Sequence, residues 1–367
     1  MSSDCFGVVN DIAPTFRPFV QNLYQELKLG LCKSKVEIEK LTGGSGFETN
    51  FRITLPYCSK KLKWEVLFDR TVPWFAPDFR FDDDTFLNNI DEDYLEEKVP
   101  SLNNWNECDP TALSKVITEL VNLYKHHQLR KLNEDESSRA CFEYSALLGA
   151  LASENDIEVW VGGHIVEFLI KLNVDTTGLP ELYNKDIMND QNPGVDTALL
   201  LVRYPNSTNA ELILSPLLSK SLGNITLPLM HQTGVLMDYV PMVTDLLNEK
   251  IKELLNNEKL KREILAMMIV KYEGAILEHD ASSASFLFAT NDFHWILHVE
   301  VDPKFLEKPP VITLRSVYHC SKGKPKFKVL PSCPYNNFEV YIEQQVEIFK
   351  NECKGIVTNN QLVNIET

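Results

Sequence analysis

The sequence predicts an α+β protein built of antiparallel meander sheets with helices packed on one face, repeated in tandem. Three observations predict it. Leu62, Trp64, Val66 and Phe68 recur at every second position and lead to Asp69, Pro73, Pro77, Phe79 and Phe81; a slide of 233 positions lands on Trp295, Leu297, Val299, Val301, Asp302, Pro310, Ile312 and Leu314. Period-two alternation on both sides of a proline-rich crossing describes two strands, each with one buried face, joined where proline removes no ladder bond. A weaker echo, Val174-Asp175 followed by Pro180, raises the count from two such units to three. Stripes at helical spacing bracket each phrase, and helix, meander and helix together make a sheet with helices on one face.

Taken in order, Phe16, Phe19, Val20, Leu23, Tyr24 and Leu27 predict a helix over 13–31, with Gly30 near its end. Strands are expected at 36–41, 51–57, 63–68 and 78–81, then an irregular acidic loop to Trp105. Pro110 suits a first helical turn, and Leu113, Val116, Ile117, Leu120, Val121, Leu123 and Tyr124 give the next helix its core stripe. The polar break 133–138 ends a first domain, 1–133. The second, 137–258, reads as a helix at 139–152, strands at 157–161, 165–174, 197–204 and 211–214, and a helix from Tyr239. No Gly or Pro lies between Met242 and Glu273, so that helix is expected to run almost unbroken into the third domain, 259–356, over about 45 Å. There, strands are expected at 285–289, 293–301 and 311–317, with a last helix over 338–352 and a tail at 357–367.

Composition limits function. A formal charge of −16 argues against a nucleic-acid groove, which needs clustered Lys and Arg to displace counterions. No apolar run approaches the roughly 20 residues of a bilayer span, and the N-terminus lacks a basic segment followed by an apolar one, so a cytoplasmic and nuclear protein is expected, with no membrane partner. Eight cysteines without a CxxC pair suggest reduced, structural thiols, and no metal centre or cofactor is expected. The run Lys322, Lys324, Lys326, Lys328 reads as a solvated strand or hairpin edge, and Asp82 to Asp84 as a solvated loop. His126-His127 is read as complementing a helix C-terminal dipole. His294 and His298 fall on the strand face opposite Trp295 and Leu297 and read as surface imidazoles.

These residues carry a resemblance to the ubiquitin-conjugating (E2) fold and its inactive variants, the UEV and RWD domains. Pro309-Pro310-Val311-Ile312-Thr313-Leu314 followed by Val317-Tyr318-His319 is similar to the E2 run of two prolines, a strand and a Tyr-His-Pro-Asn turn. Leu102, Trp105 and Pro110 resemble the E2 segment that opens its next helix. An E2 accepts ubiquitin on a cysteine roughly twenty residues past the second proline, with an asparagine to stabilise the oxyanion. At that spacing this chain has Glu97 and Leu330, and the turn reads His319-Cys320-Ser321. Cys108 comes too late in the fold, and Cys320 and Cys333 have no base or oxyanion donor at readable spacing, so structural roles are expected for them. The expectation is a chain that is not an enzyme.

Over its whole length, through FEY (142–144), PGVDTALLLV (193–202), MDYVPMVTDLL (237–247), KREI (261–264) and SVYH (316–319), the chain resembles the brain and reproductive organ-expressed (BRE) family. That resemblance implies a non-catalytic scaffold of the BRISC deubiquitinase complex, and in vertebrates of the related nuclear breast-cancer-susceptibility A complex in DNA repair. It implies as partners a JAMM zinc metalloprotease subunit that cuts lysine-63-linked ubiquitin chains, an Abraxas-type pseudo-protease subunit and a MERIT40-type von Willebrand A-like subunit. In UEV relatives a proline-containing peptide lies between the strand hairpin and the last helix, which by analogy marks Tyr318, Phe338 and Tyr341 as a candidate groove for a partner tail. A free-standing UEV-type module binding ubiquitin or ubiquitin chains is the alternative.

Overall fold

A computed structural model describes residues 11–41, 49–88, 90–134, 138–150, 153–179, 197–205, 210–230, 234–290, 293–302, 310–321, 324–330, 340, 341, 344, 345 and 348. The described chain is α+β, with antiparallel open sheets that follow one another along the sequence. It divides into two compact units, Met1–Glu249 and Lys250–Thr367.

The first unit opens with helix α1 (Arg17–Glu26), whose Phe19, Val20 and Leu23 are buried. It is shorter than the expected 13–31. Leu27 turns extended, and the following residues form a two-stranded ladder, β1 (Lys28–Leu29) with β2 (Ser34–Lys35), turned by Gly30 at φ +67°. Continuing the helix would have carried Leu29 and Cys32 off the core they join. Strands β3 (Glu37–Lys40), β4 (Asn50–Tyr57), β5 (Lys60–Leu67) and β6 (Asp78–Arg80) then form one sheet in that order. The registers Phe51↔Val66, Ile53↔Trp64 and Leu55↔Leu62 put every member of the alternating phrase on one buried face. Asp69 turns the chain beyond β5, its Oδ1 accepting the Thr71 N–H at 2.8 Å, and Asp175 makes the same turn with Thr177 at 3.0 Å. The repeated Asp-x-Thr is thus a repeated piece of geometry.

The expected acidic loop holds two short helices, α2 (Glu92–Lys98), capped by Asp91, and α3 (Pro100–Asn103), which starts on its proline. Helix α4 (Ala112–Asn133) buries Leu113, Val116, Ile117, Leu120 and Tyr124 against the sheet. It runs well past His126-His127, so those imidazoles do not stand at a helix end. His127 is buried instead, its Nε2 3.1 Å from Thr85 Oγ1 and 3.7 Å from Asp83. Asp83 itself turns inward towards Lys131, so the 82–84 stretch is not wholly solvated.

After helix α5 (Arg139–Ala150), strands β7 (Ile157–Gly162), β8 (Ile165–Leu172), β9 (Ala198–Tyr204) and β10 (Glu211–Leu214) form a second sheet, ordered β10-β9-β8-β7. Leu169, Leu199 and Leu201 on one face join the core of the first sheet, while Phe168 on the other stacks on Tyr144 and meets Tyr204 edge-on. The sheet is covered on both faces, which is why 198–202 reads as an unbroken apolar run rather than an alternation. A helix missing from the sequence reading, α6 (Pro216–Leu222), carries a full set of signals: Ser215 caps the Leu218 N–H, Pro216 starts it, and Gly223 follows at φ +65°.

Helix α7 (Leu236–Lys271) is a single 36-residue element with Pro241 in its first turns. Its N-terminus is held by Glu143 of α5, whose Oε2 accepts the Leu236 N–H at 2.7 Å. Within the second unit, Ile264, Leu265 and Met268 of α7 pack on a five-stranded sheet: β11 (Ile276–His279), β12 (Ser283–Thr290), β13 (Phe293–Glu300), β14 (Val311–Ser321) and β15 (Lys324–Val329). The helix ends at Lys271, and Ile276 already pairs with Phe286. Lys324, Lys326 and Lys328 of the lysine-rich run fall on edge strand β15, and Lys322 lies outside the described residues. The described residues of the expected last helix, 340, 341, 344, 345 and 348, are helical.

Candidate functional site

Two regions combine polar chemistry with surface access, one in each unit. In the second unit, β12, β13 and β14 are in register through Phe286↔Leu297↔Leu314, so their inner face is apolar apart from the buried Ser316, and Trp295, Leu297 and Val299 are sealed. His294 and His298 lie on the other face, half-buried, with His298 Nδ1 3.0 Å from Ser285 Oγ. Of the residues expected to line a partner groove, Tyr341 is half-buried and packs against the core of this sheet. Tyr318 belongs to β14, but its side chain, like the whole of Phe338, lies outside the described residues.

The residues at the spacing of an E2 acceptor cysteine fall in two different settings. Leu330 is 5% exposed, belongs to the core and donates its N–H to Ile312 O at 2.8 Å. Glu97 stands exposed on α2 and pairs with Lys98 at 2.7 Å. Cys108 is exposed in the turn before α4, its N–H donated to Asn106 Oδ1. Cys320 belongs to β14 with its side chain outside the described residues, and Cys333 lies outside them altogether.

In the first unit, the tip of the β4–β5 hairpin is set into the second sheet. Tyr57 donates its hydroxyl to Val159 O at 2.9 Å. Glu158, 6% exposed, accepts the Cys58 N–H at 2.6 Å and the Leu31 N–H at 2.7 Å. Glu167, also buried, accepts from Ser59 and pairs with Lys60 at 2.9 Å and Arg203 at 3.3 Å. Lys60 also lies over the Trp160 ring, 4.3 Å from its centroid. Beside this joint is a cleft of about 430 Å³, lined by Cys32, Pro56, Lys60, Arg203, Glu211 and Ile213.

The two carboxylates shift in opposite directions. Burial pushes Glu158 above the usual carboxylate range, because two backbone donors only partly replace its lost water. Burial acts the same way on Glu167, but the Ser59 and Lys60 bonds and the Lys60 and Arg203 charges outweigh it and hold it low. Burial beside Glu158 also raises the Cys32 thiol to about 11 and the Cys58 thiol well above its ordinary value, so neither is poised as a nucleophile. The arrangement is a polar clasp between sheets. The sequence reading missed it because the groups it joins are 36 to 127 residues apart and share no motif. The visible signal was a glutamate breaking an otherwise apolar stretch, Ile157-Glu158-Val159.

Comparison with known proteins bears on the whole chain. The chain is 33% identical over 357 residues to "BRISC and BRCA1-A complex member 2" of Branchiostoma floridae, covering 90% of each. It is 29% identical over 352 residues to the protein of the same name from Danio rerio, covering 89% of this chain and 88% of the relative. The family model of the brain and reproductive organ-expressed protein matches residues 10–320, and the chain belongs to the BRE family.

Proposed function

We propose that this chain is a non-catalytic scaffold subunit of a lysine-63-specific deubiquitinase complex of the BRISC type, and of its nuclear DNA-repair counterpart where that exists. In this reading it works in cytoplasm and nucleus and bridges a JAMM metalloprotease and Abraxas-type pair to a MERIT40-type subunit. Its sheets correspond to three E2-like units, near 1–133, 137–258 and 259–356, each lacking ubiquitin-transfer chemistry. Membership of the BRE family, with two relatives named as complex members, supports the complex assignment. The observation that carries the non-catalytic part is Leu330: at the spacing of an acceptor thiolate stands a buried leucine bonded into the sheet, which can neither form a thioester nor meet one. The surface near Tyr318, Phe338 and Tyr341 is the groove we assign to a partner tail.

Affinity purification of the tagged full-length chain tests the reading. A JAMM-type metalloprotease and a von Willebrand A-like subunit should co-purify, and their absence refutes the complex assignment. Incubation with ubiquitin, activating enzyme and ATP should give no reductant-sensitive adduct. An adduct on Cys320 or Cys333 would show the chain to be an enzyme.

A further inference from the structure

The crossing between β5 and β6 does more than connect them. Its base is anchored: Phe68 and Pro77 are buried, Asp69 Oδ1 binds both the N–H and the hydroxyl of Thr71, and the Phe75 N–H closes a turn on Val72 O at 3.1 Å. At its tip, Trp74 and Phe75 are 55% and 62% exposed, with ring centroids 6.4 Å apart. Core packing on this side is supplied by Phe68, Phe79 and Phe81, so the two tip rings do nothing for the fold that their exposure does not waste. Two large aromatics held out on a turn fixed by hydrogen bonds and flanking prolines are a preorganised anchor, with little ordering cost left to meet on binding.

Charge selects the occupant. The exposed Asp69 and Arg70 flank the tip on one side and Asp78 and Arg80 on the other, and the segment 82–98 that follows carries eight acidic residues against one basic. An anionic membrane or a nucleic acid would be repelled, as would a second copy of this chain, whose formal charge is −16. We propose that Trp74 and Phe75 insert into an apolar pocket rimmed by lysine or arginine on another protein subunit of the complex. This rests on the complex membership proposed above.

Hydroxyl-radical footprinting of the free chain and of the complex purified through the tagged full-length chain tests it. Trp74 and Phe75 should be protected about five-fold or more in the complex, and W74S/F75S should dissociate from it about ten-fold faster with an unchanged unfolding midpoint, as expected for exposed anchors. D78K should also dissociate faster, by a factor that shrinks as salt is raised. Equal labelling in the two states, or an unchanged dissociation rate for W74S/F75S, overturns the inference while leaving the complex intact. Protection by phosphatidylserine-containing vesicles instead would also overturn it. Failure to recover any complex would remove the proposed function as well.

Discussion

Glu158→Ala is the sharpest test of the clasp between the first two sheets. The substitution leaves the Leu31 and Cys58 N–H groups buried without an acceptor. Each such orphan costs about 1–3 kcal/mol, and removing a carboxylate that burial disfavours returns part of that, so the net loss is about 3 kcal/mol. In a unit of this size that lowers the midpoint by about 6–12 °C, read by calorimetry on the full chain. Glu158→Gln keeps one oxygen acceptor and should lose about half as much. The pH dependence has a definite sign. Because the folded pKa of Glu158 lies above the unfolded value of about 4.3, the native state binds more protons between the two, and its contribution to stability falls as pH rises through that window. Glu158→Gln removes this slope. If Glu158→Ala unfolds within about 2 °C of wild type, less than one orphaned donor predicts, the clasp does not hold the sheets together and the reasoning fails.

Glu143, fully buried, accepts the first N–H of α7 and pairs with Arg139, so Glu143→Ala should cost about 2–4 kcal/mol in chemical denaturation. Burial holds His127 neutral, depressing its pKa below the ordinary 6.5; the unfolded chain therefore binds more protons, stability falls as pH drops below about 6.5, and His127→Gln should flatten that limb of a pH–midpoint curve. Iodoacetamide at neutral pH should label Cys108 in the native chain but spare Cys32 and Cys58 until urea unfolds it, as peptide mass spectrometry would show.

Where a segment buries one face against its own sheet, the sequence shows it directly. The phrases around Asp69 and Asp302 gave the strands of the first and third sheets because their alternation is the burial pattern itself. An apolar stripe behind Pro110 marked α4, and a stretch free of Gly and Pro marked the body of α7. Errors cluster where a distant element covers the second face or captures a polar group. The short α1 is ended by a ladder that Gly30 turns towards Glu158, and the buried His127 meets Asp83 and Thr85 from more than 40 residues earlier. The candidate groove was legible only in part: Tyr341 joins the core of the third sheet, while the side chains of Tyr318 and Phe338 lie outside the described residues.

By itself, then, the sequence determined the α+β class, the tandem phrase, the long unbroken helix and the absence of cysteine at the acceptor spacing. These are local or periodic properties, written in residue order. Only the tertiary structure decided that Glu158 and Glu167 clasp one sheet to the next, that Leu330 is sealed in a core, and that Trp74 and Phe75 stand in water. In these three places burial or exposure depends on what packs, or fails to pack, against a residue from far along the chain, and no local pattern encodes that.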